Sequence, residues 1–231
     1  RPYHSIFCAE TAHIYVDECG SPVKMTGCQI RPIATPDGKL TPELMQPYLH
    51  GFGDQHHSQP RALYISQCTE LGTIYTPEEL KRLTDFAHLN GMYVHMDGAR
   101  IANACAALNL SLKELTVDCG VDILCFGGTK NGLMMGECVI VFNKDLQPEA
   151  RFIRKQSAQL ASKMRYLSCQ FTAYLTGDLW LKNASHANAM AAKLRAELEK
   201  LPEVTFTQKA ESNQLFLILP RPVIDRMLES Y

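Results

Sequence analysis

Short runs of apolar residues alternate along the chain with segments whose apolar residues recur every three or four positions. The short runs are rich in β-branched residues, and we predict strands at 5–8, 29–34, 61–66, 93–96, 123–126 and 138–142. Most of them are nearly continuous in apolar residues, as expected of strands that are covered on both faces of a sheet. Their alternation with helices predicts an α/β fold with a mostly parallel sheet.

Capping residues mark the helix starts. Thr76 is an N-cap, Pro77 takes the first helical position and Glu79 the third, which together form a capping box. The apolar residues that follow lie on one helical face, and a glycine ends the helix. A weaker signal of the same kind predicts a helix start at Thr41, and another capping-box pattern predicts one at Ser111.

The pattern changes after about residue 145, where strands give way to longer helical stretches. We predict two helices followed by two strands there, at 145–175, 178–201, 204–208 and 215–219. Residues 1–175 are therefore expected to form a large α/β domain. Residues 176–231 are expected to form a connecting helix and the beginning of a small C-terminal α+β domain.

The composition is that of an ordinary globular protein, since 46% of the 231 residues are hydrophobic, 20% are charged and the formal net charge is -1. This charge gives no basis for a nucleic acid or an anionic membrane as a partner. No apolar run reaches the roughly 20 residues needed to cross a bilayer, and the first residues lack a signal-peptide pattern. The nine cysteines form no Cys-x-x-Cys pair, and several lie in apolar runs, which favours the cytosol.

Two short segments carry candidate chemistry, each at the end of a predicted strand. Residues 95–100 read His-Met-Asp-Gly-Ala-Arg, and period-two alternation places His95 and Asp97 on one face. Residues 126–132 read Phe-Gly-Gly-Thr-Lys-Asn-Gly, an apolar, glycine-rich setting for Lys130. An unpaired ammonium group is costly in such a setting, so the lysine gives up its proton readily and can form a Schiff base with an aldehyde. The carboxyl ends of strands are also where α/β sheets build ligand sites.

Each segment alone is more often a capped turn or a loop with an exposed lysine than a functional site. Together they are more informative, because pyridoxal phosphate (PLP) requires a lysine for its aldehyde and a carboxylate for its pyridinium nitrogen. The two glycines before the lysine lack the spacing of a phosphate-binding P-loop. His56 and His57 lie in a polar loop and are interpreted as solvated, since nothing else supplies the ligands that a metal site would need.

The ordered segments carry a resemblance to a known family. Residues 95–100 resemble the His-x-Asp-Gly-Ala-Arg motif of low-specificity threonine aldolases and the related β-eliminating lyase family. Residues 122–130 resemble the strand that leads to the PLP lysine of that family. Upstream, Glu-Thr-Ala-His-Ile at 10–14 and Glu-Cys-Gly at 18–20 are similar to its histidine segment. The similarity runs in order from about residue 3 to about residue 219.

The resemblance implies fold type I, the aspartate aminotransferase-like architecture of PLP-dependent transferases, with PLP as the cofactor. Lys130 would form the Schiff base, and Asp97 would pair with the pyridinium nitrogen and keep it protonated. Arg100 would contact the 3-oxygen of the cofactor and the substrate carboxylate. His13 would stack on the ring and assist proton transfer at the substrate hydroxyl, and Thr129 would lie near the phosphate or the ring. Lys130, His13 and Asp97 are therefore the expected catalytic residues.

The implied reaction is cleavage of L-threonine or L-allo-threonine, which are β-hydroxy-α-amino acids, to glycine and an aldehyde. A first alternative is a β-eliminating lyase that acts on another amino acid and holds the cofactor through the same residues. A second alternative is a binding module with this fold and no catalytic activity. Fold type I enzymes usually complete the phosphate site with residues from a neighbour, so a homodimer or homotetramer is expected. Arg154, Lys155 and Lys163, predicted on one helix, either form a solvated face or reach a neighbouring subunit's phosphate.

The sequence departs from the family pattern in two places. After the third strand family members often carry Thr-His, whereas residues 68–72 read Cys-Thr-Glu-Leu-Gly. Glu70 in place of the histidine leaves the base for retro-aldol cleavage unassigned. The family's glycine-threonine phosphate loop and the carboxylate-binding arginine of its C-terminal domain have no counterpart here, so the chain is expected to be incomplete.

Overall fold

The computed structural model describes residues 1–230, and Tyr231, at the end of the predicted second domain, lies outside the described residues. A six-stranded sheet forms the centre of the molecule. Its strands agree with the predicted runs to within two residues at each end. They are β1 His4–Ala9, β2 Gln29–Ile33, β3 Gln59–Ser66, β4 Tyr93–Gly98, β5 Ile123–Gly127 and β6 Glu137–Val141.

The strands lie in the order β2-β1-β3-β4-β5-β6. All neighbours pair in parallel except β5 and β6, which are antiparallel. The loop between β5 and β6 is too short for the crossover that a parallel pair needs, so β6 returns beside β5. The prediction of an α/β fold with a mostly parallel sheet is confirmed. We call the edge at which β1, β3, β4 and β5 end, at Ala9, Ser66, Gly98 and Gly127, the carboxyl edge.

Helices connect the strands and cover the sheet. They are α1 His13–Val16, α2 Ser21–Thr26, α3 Pro42–Met45, α4 Pro77–Leu89, α5 Ile101–Leu108, α6 Gln147–Gln156, α7 Arg165–Leu175, α8 Leu179–Leu198 and α9 Arg221–Ser230. The capping box predicted for α4 is confirmed. The Glu79 N–H donates to Oγ1 of Thr76 at 3.2 Å, and the Thr76 N–H donates to the Glu79 carboxylate at 2.8 Å. Leu80 and Leu83 on its inner face are completely buried.

The single helix predicted over 145–175 is wrong, because residues 157–164 separate α6 from α7. Ala158 and Lys163 adopt left-handed backbone conformations there, with φ values of 59° and 63°. A right-handed helix cannot continue through such residues. Lys163 therefore lies between two helices rather than on one, whereas the helix predicted over 178–201 is confirmed as α8.

The capping contacts predicted at Ser111 form, but no α-helix follows them. The Glu114 N–H donates to Oγ of Ser111 at 3.2 Å, and the Ser111 N–H donates to the Glu114 carboxylate at 2.9 Å. Thr116 then leaves the helical region at φ -131° and ψ -91°, so the chain continues only as a 3-10 turn at Val117–Cys119. Thr41, by contrast, caps the short helix α3.

One continuous core joins the sheet to the helices. Phe7, Leu63, Val94 and Leu124 come from four neighbouring strands and are at most 2% exposed. The two strands predicted in the tail are confirmed as the short antiparallel pair β7 Thr205–Phe206 and β8 Leu217–Ile218. Among residues 1–230, no helix is both long enough and apolar enough to cross a membrane.

Candidate active site

Asp97 is held near the end of β4 by two hydrogen bonds. The Tyr64 hydroxyl of β3 donates to Oδ2 at 2.6 Å, and the Ala99 N–H donates to Oδ1 at 2.9 Å. Each carboxylate oxygen can accept more than one hydrogen bond, so both keep acceptor capacity for a ligand. The residue is half-buried, and no cation among residues 1–230 forms an ion pair with it.

Lys130 lies on a 3-10 turn, Thr129–Asn131, that directly follows β5. Asn131 fixes this turn, because its buried side-chain amide donates to the hydroxyl of Tyr174 and, at 2.8 Å, to the carbonyl oxygen of Trp180. Lys130 itself is exposed, and its ammonium group forms no ion pair within the described chain. The expectation that apolar residues enclose Lys130 is therefore wrong, because the turn leaves its side chain at the surface.

Two glycines allow the ends of β4 and β5 to approach each other closely. A Cβ on Gly127 would lie 2.5 Å from the Cα atom of Ala99, and a Cβ on Gly98 would lie 2.8 Å from the carbonyl oxygen of Cys125. Both distances are shorter than van der Waals contact, so this packing requires glycine. The carboxylate near the end of β4 and the lysine after β5 thus lie on neighbouring segments of the carboxyl edge.

His13 begins α1, which follows β1 at the same edge. Its backbone N–H donates to Oε1 of Glu70 at 2.8 Å, and Nδ1 of its ring is hydrogen-bonded to Oε1 of Glu18 at 2.8 Å. The Ser66 hydroxyl also donates to Oε1 of Glu70, at 2.6 Å. Ser66 pairs with Asp97 in the register of β3 and β4. Glu70 therefore joins the histidine segment to the strand beside Asp97.

Arg100 and Thr129 complete the set of predicted site residues. Arg100 precedes α5, is half-buried, and has no side-chain hydrogen bond or ion pair within residues 1–230. Thr129 is exposed, and its hydroxyl donates to the carbonyl oxygen of Gly136 at 3.5 Å. The five predicted residues thus lie at the carboxyl ends of β1, β4 and β5. No hydrogen bond joins one of them to another in the described part of the chain.

Tyr64 contacts the candidate site residue Asp97 but has no signature in the sequence, where it reads as one apolar position of a strand. Burial and the Asp97 carboxylate raise the pKa of Tyr64 far above its usual range, so the phenol is the donor in their hydrogen bond. His95 stacks on the phenol, with ring centroids 5.2 Å apart and planes inclined by 20°. Burial lowers the pKa of His95, which keeps this imidazole neutral.

Proteins of known activity and structure share this arrangement of elements. The threonine aldolase of Leishmania major superposes with a TM-score of 0.92 at 33% identity, over 99% of this chain and 66% of that chain. The 4-hydroxyphenylacetaldehyde synthase of Rhodiola rosea has a TM-score of 0.72 at 14% identity, over 99% of this chain and 53% of that chain, and supports the fold alone. The predicted fold type is therefore confirmed.

Sequence relatives lead to the same family. The low specificity L-threonine aldolases of Pseudomonas aeruginosa and of Pseudomonas sp. strain NCIMB 10558 are 42% and 40% identical over 228 residues, which cover 98% of this chain. This chain spans 66% of the length of either relative. The family profile described as beta-eliminating lyase matches residues 1–220. Since this match includes every strand and all five predicted site residues, the chain belongs to the beta-eliminating lyase family.

Proposed function

We propose that the protein is a PLP-dependent lyase that cleaves L-threonine and L-allo-threonine to glycine and an aldehyde. The observation that carries this proposal is the pair of Asp97 and Lys130. An oriented carboxylate with free acceptor capacity and an unpaired amine stand at neighbouring strand ends. The names of the Pseudomonas relatives support the same reaction.

The side chains at the carboxyl edge fit PLP as the cofactor. Asp97, Arg100 and Lys130 have no ion-pair partner among residues 1–230, so a carboxylate, a guanidinium and an amine are available to a ligand. Oγ1 of Thr11, within the histidine segment, is also buried without a hydrogen-bond partner in the described chain. When bound, PLP supplies an aldehyde that joins the amine of the substrate and a ring that withdraws electrons from the bond that breaks.

Each side chain would have a separate task. Lys130 would hold the cofactor through its amine and release it to the amine of the substrate. Asp97, oriented by its two hydrogen bonds, would keep a proton on the ring nitrogen. Arg100 would bind the carboxylate of the substrate and the 3-oxygen of the cofactor. Thr129 would lie beside the phosphate or the ring.

We assign to His13 the task of taking the hydroxyl proton of the substrate. His13 would also stack on the ring of the cofactor. The Glu18 carboxylate at 2.8 Å can only accept, so Nδ1 of His13 carries the proton and Nε2 is free to act as a base. Glu70 already accepts hydrogen bonds from the His13 N–H and the Ser66 hydroxyl. These contacts favour Glu70 as a support for the histidine segment rather than as the base itself.

Turnover assays on the full-length, PLP-loaded protein test the proposal. Threonine, allo-threonine and phenylserine should each release one molecule of glycine for every molecule of aldehyde. Tryptophan should not react. Release of pyruvate and ammonia without glycine, from an amino acid with a leaving group at Cβ, would favour the β-eliminating lyase. A purified protein without the visible absorbance of lysine-bound PLP would favour the silent binding module.

A homodimer or homotetramer is part of the proposal. Met134 and Met135, in the loop after Lys130, are 92% and 61% exposed, and Phe152 and Ile153 on α6 are 63% and 55% exposed. Exposed apolar surface of this kind is typical of subunit interfaces. Sedimentation of the active, PLP-loaded full-length protein should give a dimer or a tetramer. A fully active monomer would contradict this part of the proposal.

The domain division and the location are also proposals. Helix α8 packs on α5 of the large domain, and beyond it the chain forms the separate two-stranded sheet of β7 and β8, which supports the start of a second domain within residues 176–231. All nine cysteines are free thiols, and most are buried, which supports a cytosolic location. Cell fractionation of the full-length protein would test the location, and limited proteolysis would test the boundary.

A further inference from the structure

Tyr64 is a buried phenol that is hydrogen-bonded to the carboxylate of Asp97. Its hydroxyl lies 2.6 Å from Oδ2 of Asp97, and the residue is 6% exposed. The two residues stand on the neighbouring parallel strands β3 and β4, whose register pairs Tyr64 with His95 and Ser66 with Asp97. The sheet itself therefore fixes the contact.

The groups around this hydrogen bond bring no positive charge to it. Nε2 of His95 lies 3.3 Å from Sγ of Cys125, and its Nδ1 atom is buried without a partner in the described chain. Because burial lowers the pKa of His95, the imidazole stacked on Tyr64 is neutral. The Ala99 N–H, which donates to Oδ1 of Asp97, is neutral as well. Among residues 1–230, the phenol is thus the one side chain that donates to this carboxylate.

The proton of this hydrogen bond belongs to the phenol. Burial, together with the carboxylates of Asp97 and Glu70, raises the pKa of Tyr64 far above its usual range. Tyr64 therefore donates across the whole pH range in which an enzyme of this kind works. A carboxylate that accepts such a hydrogen bond is stabilised in its charged form and binds a further proton less tightly.

We infer that Tyr64 is a positioning residue that lowers the proton affinity of Asp97. The proton shared by Asp97 and the ring nitrogen of the cofactor therefore stays on the nitrogen. The inference rests on the proposed function, because it requires a ring nitrogen next to Asp97. Without the phenol, Asp97 would compete for that proton, and the ring would withdraw electrons less effectively. The Ala99 N–H would still orient Oδ1.

The test is nitrogen-15 NMR at neutral pH, using full-length protein loaded with PLP that carries nitrogen-15 at the ring nitrogen. In Tyr64→Phe, the ratio of the proton on the ring nitrogen to the proton on Asp97 should fall about tenfold, so the signal should move toward that of an unprotonated ring, and kcat for threonine should fall about tenfold with KM little changed. Tyr93→Phe is the matched control. Tyr93 lies at the start of β4, and its hydroxyl accepts from Arg61 at 3.3 Å in an exposed contact. The nitrogen-15 signal of Tyr93→Phe should match that of the wild type.

A nitrogen-15 signal that is the same in Tyr64→Phe and in the wild type would overturn the inference, even if kcat fell. Should Tyr64→Phe not fold, replacement of Tyr64 by 3-fluorotyrosine keeps the shape and makes the phenol a stronger donor. The signal should then move in the opposite direction, toward that of a fully protonated ring, and an unchanged signal would again overturn the inference. If the wild type binds no labelled PLP, both the proposed function and the inference are wrong. If the wild type binds it and the variant gives the same signal as the wild type, only the inference is wrong.

Discussion

Asp97 and Asp122 lie at opposite edges of the sheet and differ in how fully their carboxylates are bonded. Asp122, just before β5, accepts from the Val94 N–H at 2.7 Å and from the Asn143 amide at 2.6 Å, and it is bonded to the His88 ring at 2.9 Å. Its side chain is 8% exposed. Asp97 accepts two hydrogen bonds within residues 1–230 and is half-buried.

A nearly saturated carboxylate joins structural elements, whereas a partly bonded one is prepared for a ligand. Asp122 ties β4, α4 and the end of β6 together, and its partners use most of its acceptor capacity. Asp97 is oriented by its neighbours and still free to accept, as a cofactor-binding carboxylate must be. This difference supports the proposal that the functional site lies at the carboxyl edge, whereas the contacts of Asp122 stabilise the opposite edge.

The largest expected effect at the carboxyl edge comes from Lys130→Ala. Removal of the amine that would hold the cofactor should lower threonine turnover by about 10³-fold or more. Because Lys130 is exposed, the free energy of unfolding of the cofactor-free protein should change by less than about 0.5 kcal/mol. Lys144→Ala removes another exposed lysine and should leave turnover unchanged. Near-normal turnover in Lys130→Ala would contradict the assignment.

Asp97→Ala should lower turnover about 10²-fold while the cofactor still attaches to Lys130. The electron-withdrawing ring loses its partner carboxylate, but the amine of the lysine is unaffected. Borohydride reduction of the variant should therefore still yield a pyridoxyl adduct on Lys130. A variant with full turnover would remove Asp97 from the site.

Asp122→Ala should show the opposite behaviour. The buried Val94 N–H would lose its acceptor, and the free energy of unfolding, measured by urea denaturation, should fall by about 2 kcal/mol. Turnover per folded molecule should stay close to that of the wild type. If Asp122→Ala lost turnover without losing stability, the division of roles between the two edges would be wrong.

The smallest expected effect concerns Glu70. Glu70→Ala removes the acceptor of the His13 N–H and the Ser66 hydroxyl, and kcat/KM for threonine should fall about fivefold. Glu70→Gln keeps an acceptor oxygen and should stay near the wild type. A loss of about 10²-fold in both variants would instead identify Glu70 as the base.

The strands could be predicted because their apolar runs match their burial, but the breaks in the helices could not. Ala158 and Lys163 adopt left-handed conformations that neither residue type signals, so residues 145–175 read as one helix. At Ser111 the local capping contacts were predicted correctly. Whether a helix follows them depends on the backbone of Thr116, where tertiary packing outweighs the local signal.

At the site, the sequence indicates side chains that follow strands but not those that support them. Asp97 and Lys130 stand in recognisable segments at strand ends. Tyr64 reads as an ordinary core residue, because its contact with Asp97 depends on the register between β3 and β4, which a single sequence does not contain. The surface position of Lys130 was also missed, since the apolar residues before it do not signal the 3-10 turn on which it is exposed.

We propose that Lys130 and Asp97 form a PLP site at the carboxyl edge. The decisive experiment is borohydride reduction of the full-length, PLP-loaded wild type, followed by peptide mapping. We expect one pyridoxyl adduct, located on Lys130. An adduct on Lys144, Lys155 or Lys163 instead, or no adduct at all, would contradict it.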